Sequence, residues 1–278
     1  MRNRLILCAV LCTVLALCGC SAENNMPDMS EMGNITVISR EEGSGTRDEF
    51  ESIIGTDAKG TDNIALSTDE VSEMVADDVN AVGYIAYGTT SLHDNVKAVA
   101  VNGVTPSEEN ISSGKYPLCR NYYLAYSGEL SAAETDFLAY IMSAGQAVAA
   151  DDCVAVKKSS SFLSDKSSGS IKICGSTSMA ALIEKMAEDY KKYNPNVTIE
   201  ITATDSSDGL NSAIRGECDI AMSSRELADY ESELLTKKAV ARDGIAIIVN
   251  TKNPVENLSE KNIKQIYDNN AEKWSDLK

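Results

Sequence analysis

The chain has 278 residues, 42 acidic against 25 basic side chains, and 43% hydrophobic content. This is enough material for two modest domains, and too apolar for a disordered chain. A net charge of −17 argues against a nucleic-acid partner, and the lone histidine, His93, excludes any site that needs two or three imidazoles.

At the amino terminus Arg2 and Arg4 precede an apolar run from Leu5 to Leu17, well short of the roughly 20 residues a spanning helix requires. Residues 1–19 therefore read as an export signal. The run closes with Leu17-Cys18-Gly19-Cys20, which resembles the lipobox of bacterial lipoproteins. That resemblance implies that Cys20 becomes the first mature residue and carries a diacylglyceryl group and a further acyl chain such as palmitate. The chain is then held on the extracytoplasmic face of the cell membrane, since two acyl tails anchor stably where one does not. The other reading is an ordinary cleaved signal with a cysteine there by coincidence. Residues 20–33 are polar, contain Pro27, and read as a tether.

From Ile35 onward, short β-branched runs alternate with helical periodicity, the mark of an α/β fold. Strands are predicted at 35–38, 171–174, 197–201, 219–222 and 245–250. Helices are predicted from Phe50, Ile53 and Ile54, from Met179, Leu182, Ile183, Met186 and Tyr190, and over 131–149. Residues 157–170, KKSSSFLSDKSSGS, have no period and read as a connector. Cys119, Cys153, Cys174 and Cys218 form no CxxC and have no neighbouring histidine, so neither a zinc site nor a redox motif is supported. An exported location permits disulfides, yet Cys174 and Cys218 flank apolar runs and read as small packing residues. Trp274 reads as a core anchor.

Three places share one local design, an extended run followed by small hydroxyl and glycine residues and a helix start. They are Gly43-Ser44-Gly45-Thr46, Gly175-Ser176-Thr177-Ser178 and Ser206-Ser207-Asp208-Gly209. First-turn N–H groups lack intrahelical partners, so such a helix start can take up an anion. A single cluster is more often a plain helix cap; three in one chain, with Arg40 and Arg47 beside the first, point to a tetrahedral oxyanion. No GxxxxGK[ST] and no GxSxG occurs, so the chain is expected to bind an anion and leave it intact, without enzymatic activity, cofactor or metal.

Segment 35–50, ITVISREEGSGTRDEF, closely resembles the signature of PstS-like phosphate-binding lipoproteins, the solute receptors of phosphate ABC transporters. Segments 173–182 (ICGSTSMAAL), 219–227 (DIAMSSREL), 241–258, 82–87 (VGYIAY) and 114–120 (GKYPLCR) are similar to further landmarks of that family. The resemblance implies a type 2 periplasmic-binding-protein fold, two α/β domains with an interdomain ligand cleft. The usual order of the landmarks is exchanged here, which implies a circular permutation. The rival explanation is that the chain holds complementary halves of adjacent receptors, each completed by another molecule. On the permuted reading 34–90 form the half of the C-terminal jaw with the SREEGSGTR loop, and 91–156 a return segment of the first jaw. Residues 157–170 are the permutation linker, 171–250 the first jaw and 251–278 the start of the second. Residues 250–254 and 84–90 are expected to cross between jaws.

The resemblance implies that Thr177, Ser178, Ser206, Ser44, Gly45 and Thr46 donate to phosphate. Arg40 is implied as the charged ligand, steadied by Glu42, with Ser176 in support. Ser224 stands where some members place an aspartate that accepts the phosphate proton; Glu42, Asp205 or Asp208 are candidate substitutes. The implied partners are inorganic phosphate and the permease subunits of an ABC importer, with the receptor a monomer. The alternatives are a receptor for another tetrahedral oxyanion, such as sulfate or molybdate, and a phosphate sensor without a transport role.

Overall fold

Thr36, Val37 and Ile38 are β-branched and stiff about χ1, which favours extended backbone, and they open β1 (Thr36–Arg40). Ser44 then caps α1 (Gly45–Ile54), its hydroxyl accepting from the Arg47 N–H at 3.4 Å. The unit is repeated by β2 (Asn63–Ala65), the cap Ser67 and α2 (Thr68–Asp77). The computed structural model describes residues 27–57 and 61–277. The export signal, Cys20 and residues 20–26 of the tether lie outside the described residues.

Next come β3 (Ala81–Ala86), a 3-10 turn, β4 (Val96–Ala98), β5 (Ala100–Val101), α3 (Glu108–Ser112) and β6 (Cys119–Tyr126). The helix predicted over 131–149 is two helices, α4 (Ala132–Ile141) and α5 (Gly145–Asp152). The break has a local cause. Ser143 Oγ turns back onto the Ala139 carbonyl at 2.5 Å, and Gly145 packs so closely on the Tyr140 carbonyl that a Cβ would lie 3.1 Å from it.

The remaining elements are β7 (Val154–Ala155), β8 (Gly169–Ser176), α6 (Thr177–Tyr190), β9 (Val197–Thr204), α7 (Ser206–Arg215), β10 (Ile220–Ser223), α8 (Asp229–Leu234), β11 (Thr236–Asn250), β12 (Asn257–Leu258) and α9 (Glu260–Tyr267). Among the described residues the main sheet runs β2-β1-β3-β11-β6-β10-β8-β9, with β4 and β7 also paired to β11. Its parallel pairs, such as β8 with β9 and β1 with β3, are joined through helices, as parallel neighbours require.

Two principal apolar cores flank this sheet. One gathers Phe50, Tyr84, Leu118, Ile247, Val249, Val255, Tyr267 and Trp274; the other gathers Tyr122, Phe137, Tyr140, Met179, Ile183, Tyr190 and Ile220. Each such fully buried side chain contributes about 1.5–3 kcal/mol before conformational entropy is set against it. β11 serves both, pairing with β6 through Gly244 and with β3 from Ile245. The predicted strand 245–250 is thus only its second half. Of the segments expected to cross between jaws, 84–90 has Tyr84 in the first core and Gly88 against Asp152 and against Cys153 of the second, and 250–254 is flanked by Val249 and Val255 of the first. The chain changes core at Leu118–Arg120 and again at Asp243–Ile245.

Residues 157–170 are fastened across the second core. Phe162 lies 5.6 Å from the rings of Tyr140 and Tyr193, and Asp136 accepts from Ser164 Oγ and the Asp165 N–H. The segments either side of Ile35 and Glu272 are neighbours, with the Ile35 N–H donating to the Glu272 carbonyl at 2.8 Å. Trp274 is fully buried and donates to the Asn80 carbonyl at 3.1 Å, as a core anchor does. Cys174 and Cys218 are joined in a disulfide, which corrects their reading as packing residues. Among the described residues no helix is long and apolar enough to cross a membrane.

Candidate functional site

The N-termini of α1, α2, α6 and α7 meet in one place. Each carries a partial positive charge from its aligned peptides. Gly43 O accepts from the Ser207 N–H at 3.2 Å, which brings α7 against the turn before α1. A Cβ on Gly45 would lie 2.2 Å from Ser206 Oγ and 2.8 Å from Ser224 Oγ, so only glycine allows this approach.

The hydroxyls form two hydrogen-bonded groups, Thr46, Ser178, Thr68 and Thr177 in one and Ser176, Ser224 and Ser206 in the other, which together make a largely buried ring. Thr46 Oγ1 lies 2.8 Å from Ser178 Oγ, Arg40 Nη2 donates to Thr177 Oγ1 at 3.2 Å, and Ser176 Oγ donates to Ser224 Oγ at 2.9 Å. Ser206 Oγ accepts from the Ser224 N–H at 3.1 Å. Ser44, Gly45, Thr46, Ser176, Ser178, Ser206 and Ser224 are buried, and Thr177 is half-buried at the rim. A cavity of about 620 Å³ opens beside the ring, lined by Glu41, Thr68, Asp69, Thr177, Glu184 and Asp205 among others.

Two expectations need correction. Glu41, not Glu42, holds the Arg40 guanidinium, accepting from Nε and Nη2 at 2.7 Å each. Glu41 still lies along the strand, its N–H bonded to the Ala65 carbonyl, whereas Glu42 has entered the turn and is exposed. Of the carboxylates proposed to replace an acceptor at Ser224, Asp208 and Glu42 are exposed, and Asp205 caps α7 with Oδ1 through the Asp208 N–H while lining the cavity beside the ring. None enters the buried ring.

Two residues were missed. Thr68 lies 3.2 Å from Ser178 Oγ and 3.4 Å from Arg40 Nη1. Its signal is Ser67-x-x-Glu70 ahead of Val71 and Val75, the mark of a capped helix start. Arg120 donates from Nη1 to Thr46 Oγ1 at 2.6 Å, and Asp243 Oδ2 accepts from its Nε and Nη2 at 3.2 and 3.0 Å. Its signal is an arginine sharing one face of β6 with the apolar Tyr122 and Leu124. Burial works against the Arg120 charge, but the neighbouring Tyr122 and Asp243 outweigh it and the guanidinium is raised above its ordinary value. Among the described residues no group of three His, Cys, Asp or Glu side chains is arranged to hold a metal ion. What the ring offers chemically is hydrogen-bond donation to a small anion.

The family model described as the PBP superfamily domain matches residues 24–144 and 160–278. The chain is 37% identical to the phosphate-binding protein PstS 2 of Streptococcus pneumoniae, with 100% of this chain and 99% of that protein covered. It is 38% identical to PstS 2 of Streptococcus agalactiae, over 94% and 92% of the two chains. The crystal structure of a phosphate-binding protein of a phosphate ABC transporter from S. pneumoniae matches with a TM-score of 0.71 at 38% identity, covering 88% of this chain and all 100% of that one. The end-to-end alignment with the pneumococcal protein means that this relative carries its segments in the same order. With its mixed α/β fold, this chain belongs to the PstS-like phosphate-binding proteins of the PBP superfamily.

Proposed function

We propose that this chain binds inorganic phosphate between its two cores and delivers it to the permease subunits of an ABC importer. The observation that carries this reading is the convergence of Thr46 and Thr68 from one side with Thr177, Ser178 and Ser206 from the other, at four helix N-termini, with Ser224 beside them. The streptococcal relatives are named for phosphate binding, and their similarity extends over essentially the whole chain. On this reading the two cores are the jaws of a receptor, and the cavity beside Thr68 and Thr177 is the entrance to the interdomain cleft. Thr46, Thr177, Ser178 and Ser206, with the Gly45 N–H, donate to the phosphate oxygens, and Arg40 supplies charge from the rim of the ring. Cys20 carries the lipid that keeps the monomer at the outer face of the membrane.

The magnitudes suffice. A hydrogen bond to a charged group contributes about 1.5–3 kcal/mol, and micromolar affinity needs only about 8 kcal/mol. Six such bonds reach about 9 kcal/mol even at the low end of that range, with some left for closing the jaws.

The exchanged order is proposed as a circular permutation shared with the pneumococcal relative. The contact of Ile35 with Glu272 supports it, because a chain running on from 277 to 34 would need little rearrangement. A chain opened within 157–170 and joined from 277 to 34 is expected to fold and keep phosphate binding. The test of function is calorimetric titration of the mature chain with phosphate, with Arg40→Ala and Ser44→Ala as weakened controls and sulfate and molybdate as competitors. Absence of phosphate binding, or tighter binding of either competitor, refutes the assignment.

A further inference from the structure

We infer that Arg120 is a positioning residue for the anion site, acting through Thr46; the inference rests on the phosphate reading above. A guanidinium has N–H donors and no acceptor. In its 2.6 Å contact with Arg120 Nη1, Thr46 Oγ1 is therefore the acceptor. The single hydroxyl hydrogen of Thr46 is thus turned away from Arg120 and is left for the anion, or, with no anion bound, for Ser178 Oγ at 2.8 Å.

The same logic runs through Arg40, which donates to Thr177 Oγ1 at 3.2 Å and to Thr68 Oγ1 at 3.4 Å. Thr68 then has its hydrogen to offer Ser178, 3.2 Å away. Ser178 Oγ accepts, and its own hydrogen is left to point at an anion. Two guanidinium groups thus set the direction of every hydroxyl they touch, and the ring presents O–H rather than lone pairs.

Arg120 is fixed for this task. Its side chain is 1% exposed, and Asp243, itself fully buried, accepts from Nε and Nη2. Tyr122 OH donates to the same Asp243 oxygen at 2.7 Å, and the Tyr122 ring lies 5.1 Å from the guanidinium carbon. The Gly88 N–H donates to the other carboxylate oxygen at 3.2 Å. Nη2 also donates to Tyr122 OH at 3.2 Å, and Nη1 reaches the Ser224 carbonyl at 3.5 Å. Because Asp243 balances the charge, what Arg120 adds is direction, with its shortest N–H bond aimed at Thr46 Oγ1.

The test is a double-mutant cycle read by phosphate calorimetry on the mature chain, with Arg120→Lys, Thr46→Val and the pair. Thr46→Val is expected to weaken phosphate about ten- to a hundredfold, the worth of one bond to a charged group. Arg120→Lys is expected to weaken it about tenfold or more. The double variant should bind within about twofold of Thr46→Val alone, because Arg120 has nothing left to aim. A double variant weakened by the product of the two single effects overturns the inference, as does an Arg120→Lys protein with unchanged affinity. A merely structural role would give that multiplicative result. Circular dichroism checks folding; if Arg120→Lys does not fold, Asp243→Asn, which keeps the shape of the clamp, takes its place in the cycle under the same criteria. Failure of the wild-type chain to bind phosphate overturns the phosphate reading and this inference together, whereas multiplicative losses in a chain that binds phosphate overturn the inference alone.

Discussion

Asp48 on α1 and Arg225, just beyond β10, form an ion pair at 2.9 Å that joins the two sides of the hydroxyl ring. Arg225 is braced from behind: Glu231 accepts from Nη1 and Nη2 at 2.8 and 2.9 Å, and Ser207 Oγ accepts at 3.0 Å. Burial alone would push the Glu231 carboxyl up, but the bonds from Arg225 outweigh it and hold the group below its ordinary range. The arm is therefore rigid on its own side and reaches across to Asp48, which is 42% exposed. A pair that exposed is worth about 0.2–1 kcal/mol. Asp48→Asn is accordingly expected to weaken phosphate binding by up to about fivefold. Calorimetry in low salt checks this, and 1 M salt should remove most of the difference between the two proteins. Equal affinities in low salt would rule out a latch.

Gly45 tests the close approach itself. A methyl group there would meet Ser206 Oγ and Ser224 Oγ inside contact distance, and both serines are fully buried with no room to retreat. Overpacking of this kind costs about 1–3 kcal/mol. Because the clash falls between the two sides and not within either core, Gly45→Ala should place that cost on the contact between them. Phosphate affinity is expected to fall at least about tenfold, with the thermal midpoint moved by only a few degrees. Unaltered affinity would mean that the two sides do not meet here when phosphate is bound.

The strand, cap and helix units were readable because their signals are local. β-branched residues favour extension, and a serine followed by unpartnered N–H groups starts a helix, so Ser44, Thr177 and Ser206 were legible as helix starts. What joins them was less so. Arg120 acquires its role from Asp243, 123 residues away in the chain, and the Cys174–Cys218 link spans 44. Neither distance leaves a periodic trace. The exchange of Glu42 for Glu41 is subtler: the carboxylate that stays in strand register meets Arg40, and its neighbour turns to solvent. Deciding between them requires knowing where β1 ends, which single-sequence patterning leaves uncertain by a residue or two.

The disulfide makes a separate prediction. Non-reducing peptide mapping should find Cys174 joined to Cys218, with Cys119 and Cys153 as thiols. Burial pushes both thiols up, so they exchange poorly with the disulfide. Reduction, or replacing both disulfide cysteines with alanine, is expected to cost about 2–4 kcal/mol through the freed loop in the unfolded chain. Urea unfolding with and without reductant measures it. A midpoint indifferent to reductant, with the thiols shown to be reduced, would refute the stabilising role.

Asp136 makes the second core sensitive to acid. Its carboxylate accepts from Tyr190 OH at 2.5 Å, Ser164 Oγ at 2.8 Å, Asn194 Nδ2 at 3.2 Å and the Asp165 N–H at 2.9 Å, so it ties α4 to α6 and to the connector. Burial raises this carboxyl, but the donors prevail and the folded value lies below the ordinary one. A group depressed in this way contributes stability that is full above the unfolded value, about 3.9, and is lost as the pH falls toward the folded value. Asp136→Asn removes the charge that strengthens these bonds and is expected to cost about 1–3 kcal/mol at neutral pH. The gap between variant and wild type should therefore hold from pH 7 to about 5 and narrow progressively below pH 4 in urea unfolding. A gap that stays constant down to pH 3 would show that the loss comes from altered packing and not from the carboxylate.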